Sequence, residues 1–123
     1  MKWKKNRGRP TNRWHRRETS WVKQRIMVKT TDGRRRYFNR YDYAMAFTRQ
    51  KGLCGLCGKE LKGELYVIAG QYVRLGPNSN PDHDHRRSLF RSLVHGLPCN
   101  RHIGDMTLSR ARQIVEYLRR FET

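Results

Sequence analysis

Two cysteines separated by two residues, Cys54 and Cys57, constrain this chain more than any other feature. Their spacing lets a tight turn aim two thiolates at one metal ion, and Gly55 and Gly58 favour such a turn. The same spacing occurs in redox dithiols, but the surrounding sequence lacks the βαβ pattern of that class. We therefore favour a metal site. A third cysteine, Cys99, makes the number odd, so the cysteines cannot form a closed set of disulfides.

A structural zinc ion needs two further ligands, and the segment around the third cysteine offers them. Cys99 and His102 repeat the spacing of the first pair, so the predicted ligands are Cys54, Cys57, Cys99 and His102. His95, four residues before Cys99, is the alternative fourth ligand. Only 36% of the residues are apolar, so the core is small and a bound zinc ion would also stabilise the fold.

The charge of the chain is strongly positive and unevenly distributed. It holds 28 Lys and Arg against 10 Asp and Glu, a net charge of +18, which predicts a nucleic-acid partner. Residues 1–40 carry 15 of the basic residues but only 2 of the acidic ones. We expect residues 1–20 to form a disordered basic DNA-binding arm. Within it, Arg7 and Arg9 flank a glycine in a tetrapeptide that resembles the core of an AT-hook.

Membrane classes are excluded by the lack of long apolar segments. No stretch approaches the roughly 20 consecutive apolar residues of a membrane span. The basic N-terminus is not followed by the apolar segment of a secretory signal. The sequence therefore predicts an intracellular protein without a membrane partner.

The remaining pattern predicts both strands and helices, which indicates an α+β fold. Residues 21–40 are predicted as a basic β-hairpin extension turning at Asp32-Gly33. A short helix capped by Asp42 is expected over residues 41–51, and two strands over 64–75. An amphipathic helix is predicted over residues 107–121, with its apolar stripe in the core. The hairpin residues expected to contact phosphate are Arg34, Arg35 and Arg36. The members of the stripe are Leu108, Ala111, Ile114, Val115, Leu118 and Phe121.

Four consecutive titratable residues, Asp82, His83, Asp84 and His85, lie between the two cysteine segments. They are poor core residues, because each would need a buried polar partner. A run of charged residues is more often an exposed loop. Its position between the two halves of the predicted zinc site instead indicates a functional site.

These motifs, in this order, resemble the recombination endonuclease VII family within the HNH, or His-Me finger, nucleases. The resemblance covers about residues 41–120 and leaves the arm and the first hairpin outside. The matching segments are Lys51–Gly58, Asp82–His85, Val94–Asn100 and Ile103-Gly104.

The resemblance implies a small zinc-stapled ββα-metal domain at residues 41–123. In such a domain a hairpin carries the catalytic histidine, a following helix carries an asparagine, and a divalent ion lies between them. His83 would be the general base. Asp82 would bind catalytic Mg²⁺ or Mn²⁺. His85 would bind the phosphate or the metal.

The position of the asparagine departs from the family pattern, in which it follows the last zinc ligand. If His102 is that ligand, the next residue is Ile103, which cannot bind a hard cation. Matching the Cys-Asn pair instead assigns Asn100 to the Mg²⁺ site and requires another zinc ligand, such as His95. We place Asn100 in the active site and keep His102 as the zinc ligand, with His95 as the alternative.

Of three functions that the sequence allows, it favours the first, an enzyme. This is a divalent-metal-dependent DNA endonuclease that nicks DNA or resolves branched, Holliday-junction-like DNA. One metal finger cuts one strand, so paired nicks would need a homodimer. The second is a zinc-stabilised nucleic-acid-binding module without cleavage activity. The third, a small basic RNA-associated structural protein, gives the titratable run no purpose.

Overall fold

The hairpin predicted around Asp32-Gly33 forms. In the structure, a computed structural model that describes residues 21–76 and 78–122, strand β1 (Met27–Lys29) pairs antiparallel with β2 (Arg35–Tyr37). Gly33 closes the turn at a φ of 87°, a conformation that glycine adopts without steric cost. The predicted arm over residues 1–20, with Arg7 and Arg9, lies outside the described residues.

A second hairpin, β5 (Asn80–Asp84) and β6 (Leu89–Val94), carries the titratable run. Strand β6 also pairs in parallel with β1, so four strands form one sheet in the order β2-β1-β6-β5. The register of β5 on β6 shifts between Asp82 and His83. Such a β-bulge re-aims side chains and is common beside active sites. Strands β1 and β2, from the predicted extension at residues 21–40, therefore share a sheet with the hairpin that bears the candidate site.

Helix α1 (Arg40–Arg49) packs against this sheet and against a separate pair of strands, β3 (Glu64–Ile68) and β4 (Gln71–Leu75). It begins one residue before the predicted start because Asn39, and not Asp42, is the N-cap. The Asp42 carboxylate instead accepts a hydrogen bond from the Asn39 amide, which completes a capping box.

An aromatic cluster dominates the core between α1 and the strands. Trp21 stacks on Tyr43 with ring centroids 4.9 Å apart and meets Phe38 edge-on at 5.5 Å. At the end of α1, the Gln50 side chain accepts from the amide of Leu93 (2.8 Å) and donates to its carbonyl (3.0 Å), which fixes the helix to β6. Other buried core members are Ile26, Ala44, Ala46, Leu61, Tyr66, Ile68, Val73, Leu75 and Val94.

After β6 the chain forms a π-helical turn (Gly96–Asn100), a short helix α2 (Arg101–Ile103) and helix α3 (Leu108–Arg119). The mixed α+β fold is thus confirmed, with a hairpin followed by a helical segment. Helix α3 forms within the predicted range, but the placement of its apolar stripe in the core is wrong. Within the described chain none of its residues is buried. A helical period indicates an apolar face, but not the surface that covers it. No helix in the described ranges has the length and apolarity to cross a membrane.

Candidate functional site

Three cysteines and one histidine converge at one end of the sheet. The ligand atoms of Cys54, Cys57, His95 and Cys99 all lie within 4.8 Å of one another. Nδ1 of His95 is 3.3 Å from Sγ of Cys57 and 3.7 Å from Sγ of Cys99. These are the ligand types of a structural Cys₃His zinc site, and their number suits a tetrahedral ion.

A backbone carbonyl outside the cluster orients the His95 ring. Nε2 of His95 lies 3.0 Å from the carbonyl oxygen of Glu60. Because a carbonyl only accepts hydrogen bonds, Nε2 must carry the ring hydrogen, and Nδ1 keeps its lone pair toward the thiols. Metal-binding histidines are commonly held by such a second hydrogen bond.

The turn that presents the first two cysteines depends on backbone hydrogen bonds. The Cys54 amide donates to the Lys59 carbonyl (2.8 Å), and the Gly58 amide donates to the Cys54 carbonyl (3.0 Å). Gly55 lies against β6, where a side chain would collide with Ser92. The amides of Leu56 and Lys59 approach Sγ of Cys54 and Cys57, each at 3.4 Å. Amides aimed at sulfur stabilise the thiolate form that binds a metal.

The two buried thiols have opposite tendencies to ionise. Burial alone would raise the pKa of Cys54, but hydrogen bonds from the backbone at Cys57, His95 and Leu56 lower that pKa to about 6. Burial and the neighbouring Cys57 and Cys54 thiols raise the pKa of Cys99 to about 11. Metal binding therefore has to displace a proton from Cys99, because the thiolate is the ligand form.

The fourth member of this cluster is the alternative His95, and His102 stands outside it. The π-helical turn follows β6 and is closed by the amide of Asn100, which donates to the carbonyl of His95 (2.8 Å). This turn places residues 95 and 99 side by side, whereas His102 lies beyond it in α2 and is exposed. The structure therefore brings together the ligand set with the alternative His95, and not the one with His102.

The titratable run on β5 divides into a buried acid and a pair of histidines. The Asp82 side chain is only 5% exposed and is held by Arg91 on β6, with Nε to Oδ2 at 2.8 Å and Nη2 to Oδ1 at 3.2 Å. The rings of His83 and His85 lie together, with centroids 4.5 Å apart. Burial first, and then the nearby His85, lower the pKa of His83 below its ordinary 6.5. His83 is therefore largely neutral near pH 7 and can accept a proton.

The other two members of the run, Asp84 and His85, each have a partner of opposite charge type. The Arg87 side chain and the Arg86 amide bind the Asp84 carboxylate and lower its pKa to about 2. Nδ1 of His85 contacts the carboxylate of Asp105, an exposed residue before α3. The sequence did not point to Asp105, because this residue lies in a turn outside any periodic pattern. It did not point to Arg91 either, for which the one available signal was an arginine in the strand that follows the acidic strand.

A cavity of about 450 Å³ opens beside His85, between the β5–β6 turn and the start of α3. Its charged lining combines three arginines, one of them Arg91 from the Asp82 pair, with the carboxylates of Asp84 and Asp105. The arginines are suited to contact a phosphodiester. The polar and charged residues of the lining are Asp84, His85, Arg86, Arg87, Arg91, Asp105 and Thr107.

Asn100, predicted to share a metal ion with Asp82, ends the π-helical turn and is half-buried. Within the described chain, no hydrogen bond or ion pair joins its side chain to Asp82 or His83. The structure therefore brings the two histidines and Asp82 into one region, but makes no direct link from them to Asn100.

The three hairpin arginines differ in their engagement. Arg36 binds both carboxylate oxygens of Asp42, each at 2.6 Å. Arg35 makes one long contact with the Arg87 carbonyl (3.5 Å), and Arg34 is highly exposed beside Asp32. Arg34 and Arg35 thus keep more donors for a phosphate than Arg36 does.

The chain matches one known protein family over most of its length. Residues 30–120 match the family described as Recombination endonuclease VII. The match begins inside the first hairpin, earlier than the resemblance at residues 41–120, and it includes the cysteine cluster and the titratable run. Comparison with curated proteins and with solved structures finds no match. The family match nevertheless spans well over half of the chain, and so the chain belongs to the recombination endonuclease VII family, as a nuclease that hydrolyses phosphodiester bonds in DNA.

Proposed function

We propose that this protein is a divalent-metal-dependent DNA endonuclease of the HNH type, with His83 as its general base. The observation that carries the proposal is the environment of His83. Its pKa is lowered by burial, it is next in sequence to a buried carboxylate, and its ring lies against that of His85, which lines the cavity of about 450 Å³. A neutral imidazole beside an anion-binding surface is what activation of water against a phosphodiester requires.

The roles of the remaining residues follow from their chemistry. Asp82 and Asn100 offer the oxygen ligands that Mg²⁺ or Mn²⁺ prefers, and the ion would stabilise charge on the phosphate and on the leaving oxygen. His83 removes a proton from the attacking water. His85, held through Nδ1 by Asp105, offers its other nitrogen to the phosphate. Zinc in the Cys₃His cluster has a structural role, because its four protein ligands leave no open position.

The DNA-binding surface would extend beyond the cavity. The arm at residues 1–20, with Arg7 and Arg9, would bind phosphates without reading bases. The exposed Arg34 and Arg35 extend this basic surface on the first hairpin. Arg36 contributes its charge while it remains bound to Asp42.

A homodimer would place two such sites on one branched DNA molecule. Support comes from helix α3, whose apolar residues Ile114, Val115 and Leu118 are 36%, 46% and 44% exposed. A stripe of this kind is suited to burial against a second copy, because a two-fold contact pairs identical surfaces. Two single-strand cuts could then be made in one complex, as resolution of a four-way junction requires.

Supercoiled plasmid tests the activity directly. With Mg²⁺ the wild-type protein is expected to convert plasmid to the nicked form, and EDTA in the reaction buffer should stop the conversion. Comparing a four-way junction with a linear duplex of the same arm sequence then tests the preference for branched DNA. Equal cleavage rates on both substrates would refute the branched-DNA part of the proposal.

One observation favours the alternative function, a zinc-stabilised nucleic-acid-binding module. Both oxygens of Asp82 are occupied by Arg91, as they would be in a site that no longer takes a metal. This alternative expects tight DNA binding in a gel-shift assay and no plasmid nicking with either Mg²⁺ or Mn²⁺. Metal-dependent nicking by the wild-type protein would exclude it.

A further inference from the structure

The ion pair between Asp82 and Arg91 joins a buried carboxylate to a partly exposed guanidinium. The Asp82 side chain is 5% exposed, whereas that of Arg91 is 41% exposed. A buried carboxylate is strongly unfavourable without a compensating cation. Among the described residues, Arg91 is the cation that forms an ion pair with Asp82. When Arg91 leaves, this carboxylate therefore favours another cation in its place.

A divalent cation cannot bind the Asp82 carboxylate while the Arg91 guanidinium occupies both of its oxygens. Arg91 binds both oxygens of Asp82, while Mg²⁺ or Mn²⁺ needs at least one of them at close range. The metal ion and the guanidinium would also repel one another if both lay beside the same carboxylate. Binding of the metal and pairing with Arg91 are therefore competing states of Asp82.

Arg91 has a place to go when it leaves the carboxylate. Its side chain lines the cavity of about 450 Å³ together with His85, Arg86 and Arg87, and with the carboxylates of Asp84 and Asp105. A DNA phosphate in this cavity would attract the guanidinium, because arginine binds phosphate through two parallel hydrogen bonds.

We infer that Arg91 is a built-in competitor of the catalytic metal: it occupies Asp82 in the free protein and moves to the phosphate when DNA binds, which opens Asp82 to the metal. The inference rests on the proposed role of Asp82 as a metal ligand. It means that DNA strengthens metal binding, and by thermodynamic reciprocity that metal strengthens DNA binding. The free protein holds the metal weakly because only the unpaired fraction of Asp82 is competent to bind it.

Mn²⁺ titration followed by electron paramagnetic resonance tests this competition without relying on catalysis. Arg91→Met removes the competing charge and keeps an unbranched apolar stem. We expect its Kd for Mn²⁺ to fall by about 10- to 100-fold, the effect of losing a charge-assisted hydrogen-bonded competitor. Arg119→Met is the control, since Arg119 also pairs with an acid, Glu116, but lies on helix α3. Its Kd should equal that of the wild type.

A second variant keeps the test decisive if Arg91→Met does not fold, as judged by its zinc content. Arg91→Lys retains the charge but cannot form the two-pronged pair, so its Kd for Mn²⁺ should lie between those of the wild type and Arg91→Met. A wild-type Kd in every folded Arg91 variant would overturn the inference.

The coupling to DNA is measured in the His83→Ala background, where the substrate stays intact. A short duplex should tighten Mn²⁺ binding when Arg91 is present and should have much less effect in the Arg91→Met double variant. An equal effect of the duplex in both proteins would overturn the coupling.

Asp82→Asn separates failure of this inference from failure of the proposed function. Loss of Mn²⁺ binding in Asp82→Asn, together with a wild-type Kd in Arg91→Met, would refute the competition alone. Wild-type Mn²⁺ binding in Asp82→Asn would instead refute Asp82 as the metal ligand, on which the proposed mechanism depends.

Discussion

Replacing His95 by alanine should remove the metal from the cysteine cluster, and with it the stability of the domain. His95 brings Nδ1 to 3.3 Å from Sγ of Cys57 and is oriented by the Glu60 carbonyl. No such contact joins His102 to the cluster within the described residues. His102→Ala is therefore the matched control, a histidine removed from the same segment.

The size of the effect follows from comparing two free energies. Structural zinc contributes about 10–16 kcal/mol of apparent binding free energy at four ligands. The whole free energy of unfolding of a domain is about 5–15 kcal/mol. Loss of the ion can therefore cancel the stability of a domain whose core is this small. We expect His95→Ala to lack a cooperative thermal transition and His102→Ala to keep one.

Metal analysis of the purified proteins is the assay. The wild type and His102→Ala should carry about one zinc per chain, and His95→Ala far less. Cys99→Ser should resemble His95→Ala. Full zinc content in His95→Ala, or its loss in His102→Ala, would refute the assignment and restore the ligand set based on spacing.

Three further results are expected from the site, the core and the exposed helix. The pKa of His83 is lowered, and only its neutral form is a base. As the pH falls, kcat/KM should therefore reach half of its maximum at a pH below 6.5, and a half-maximum at a higher pH would contradict this role. Trp21→Ala removes the ring stacked on Tyr43 and should reduce the free energy of unfolding in urea by about 3–5 kcal/mol. A loss below about 1 kcal/mol would mean that the stack is not part of the stable core. Leu118→Glu charges the apolar stripe of α3 and should shift the mass in analytical ultracentrifugation from dimer to monomer. A monomeric wild type would contradict the homodimer.

Local turn chemistry explains why the β1–β2 and β3–β4 hairpins could be predicted from the sequence. Asp32-Gly33 and Ala69-Gly70 end short β-favouring runs. Gly33, Ala69 and Gly70 all adopt the positive φ that such tight turns use. These signals lie within a few residues of the structure that they determine, so no knowledge of the rest of the chain was needed.

The ligand set and the partners of the acids depend on distant parts of the chain. Spacing favoured His102, but the π-helical turn that follows β6 brings His95, the alternative ligand, beside Cys99. The pairing of Asp82 with Arg91 depends on the bulged register of two strands, which no local pattern reports. The sequence correctly predicted the apolar stripe on α3. The helical period does not tell which surface, if any, packs against that stripe.

The role of His83 as the general base is tested by plasmid nicking with His83→Ala. With Mg²⁺ and equal protein concentrations, we expect the nicking rate to fall by about 10²- to 10⁴-fold, the contribution of a general base. His102→Ala should nick at the wild-type rate, and zinc content should be equal in all three proteins. A His83→Ala protein that retains zinc and nicks at the wild-type rate would show that His83 is not the general base.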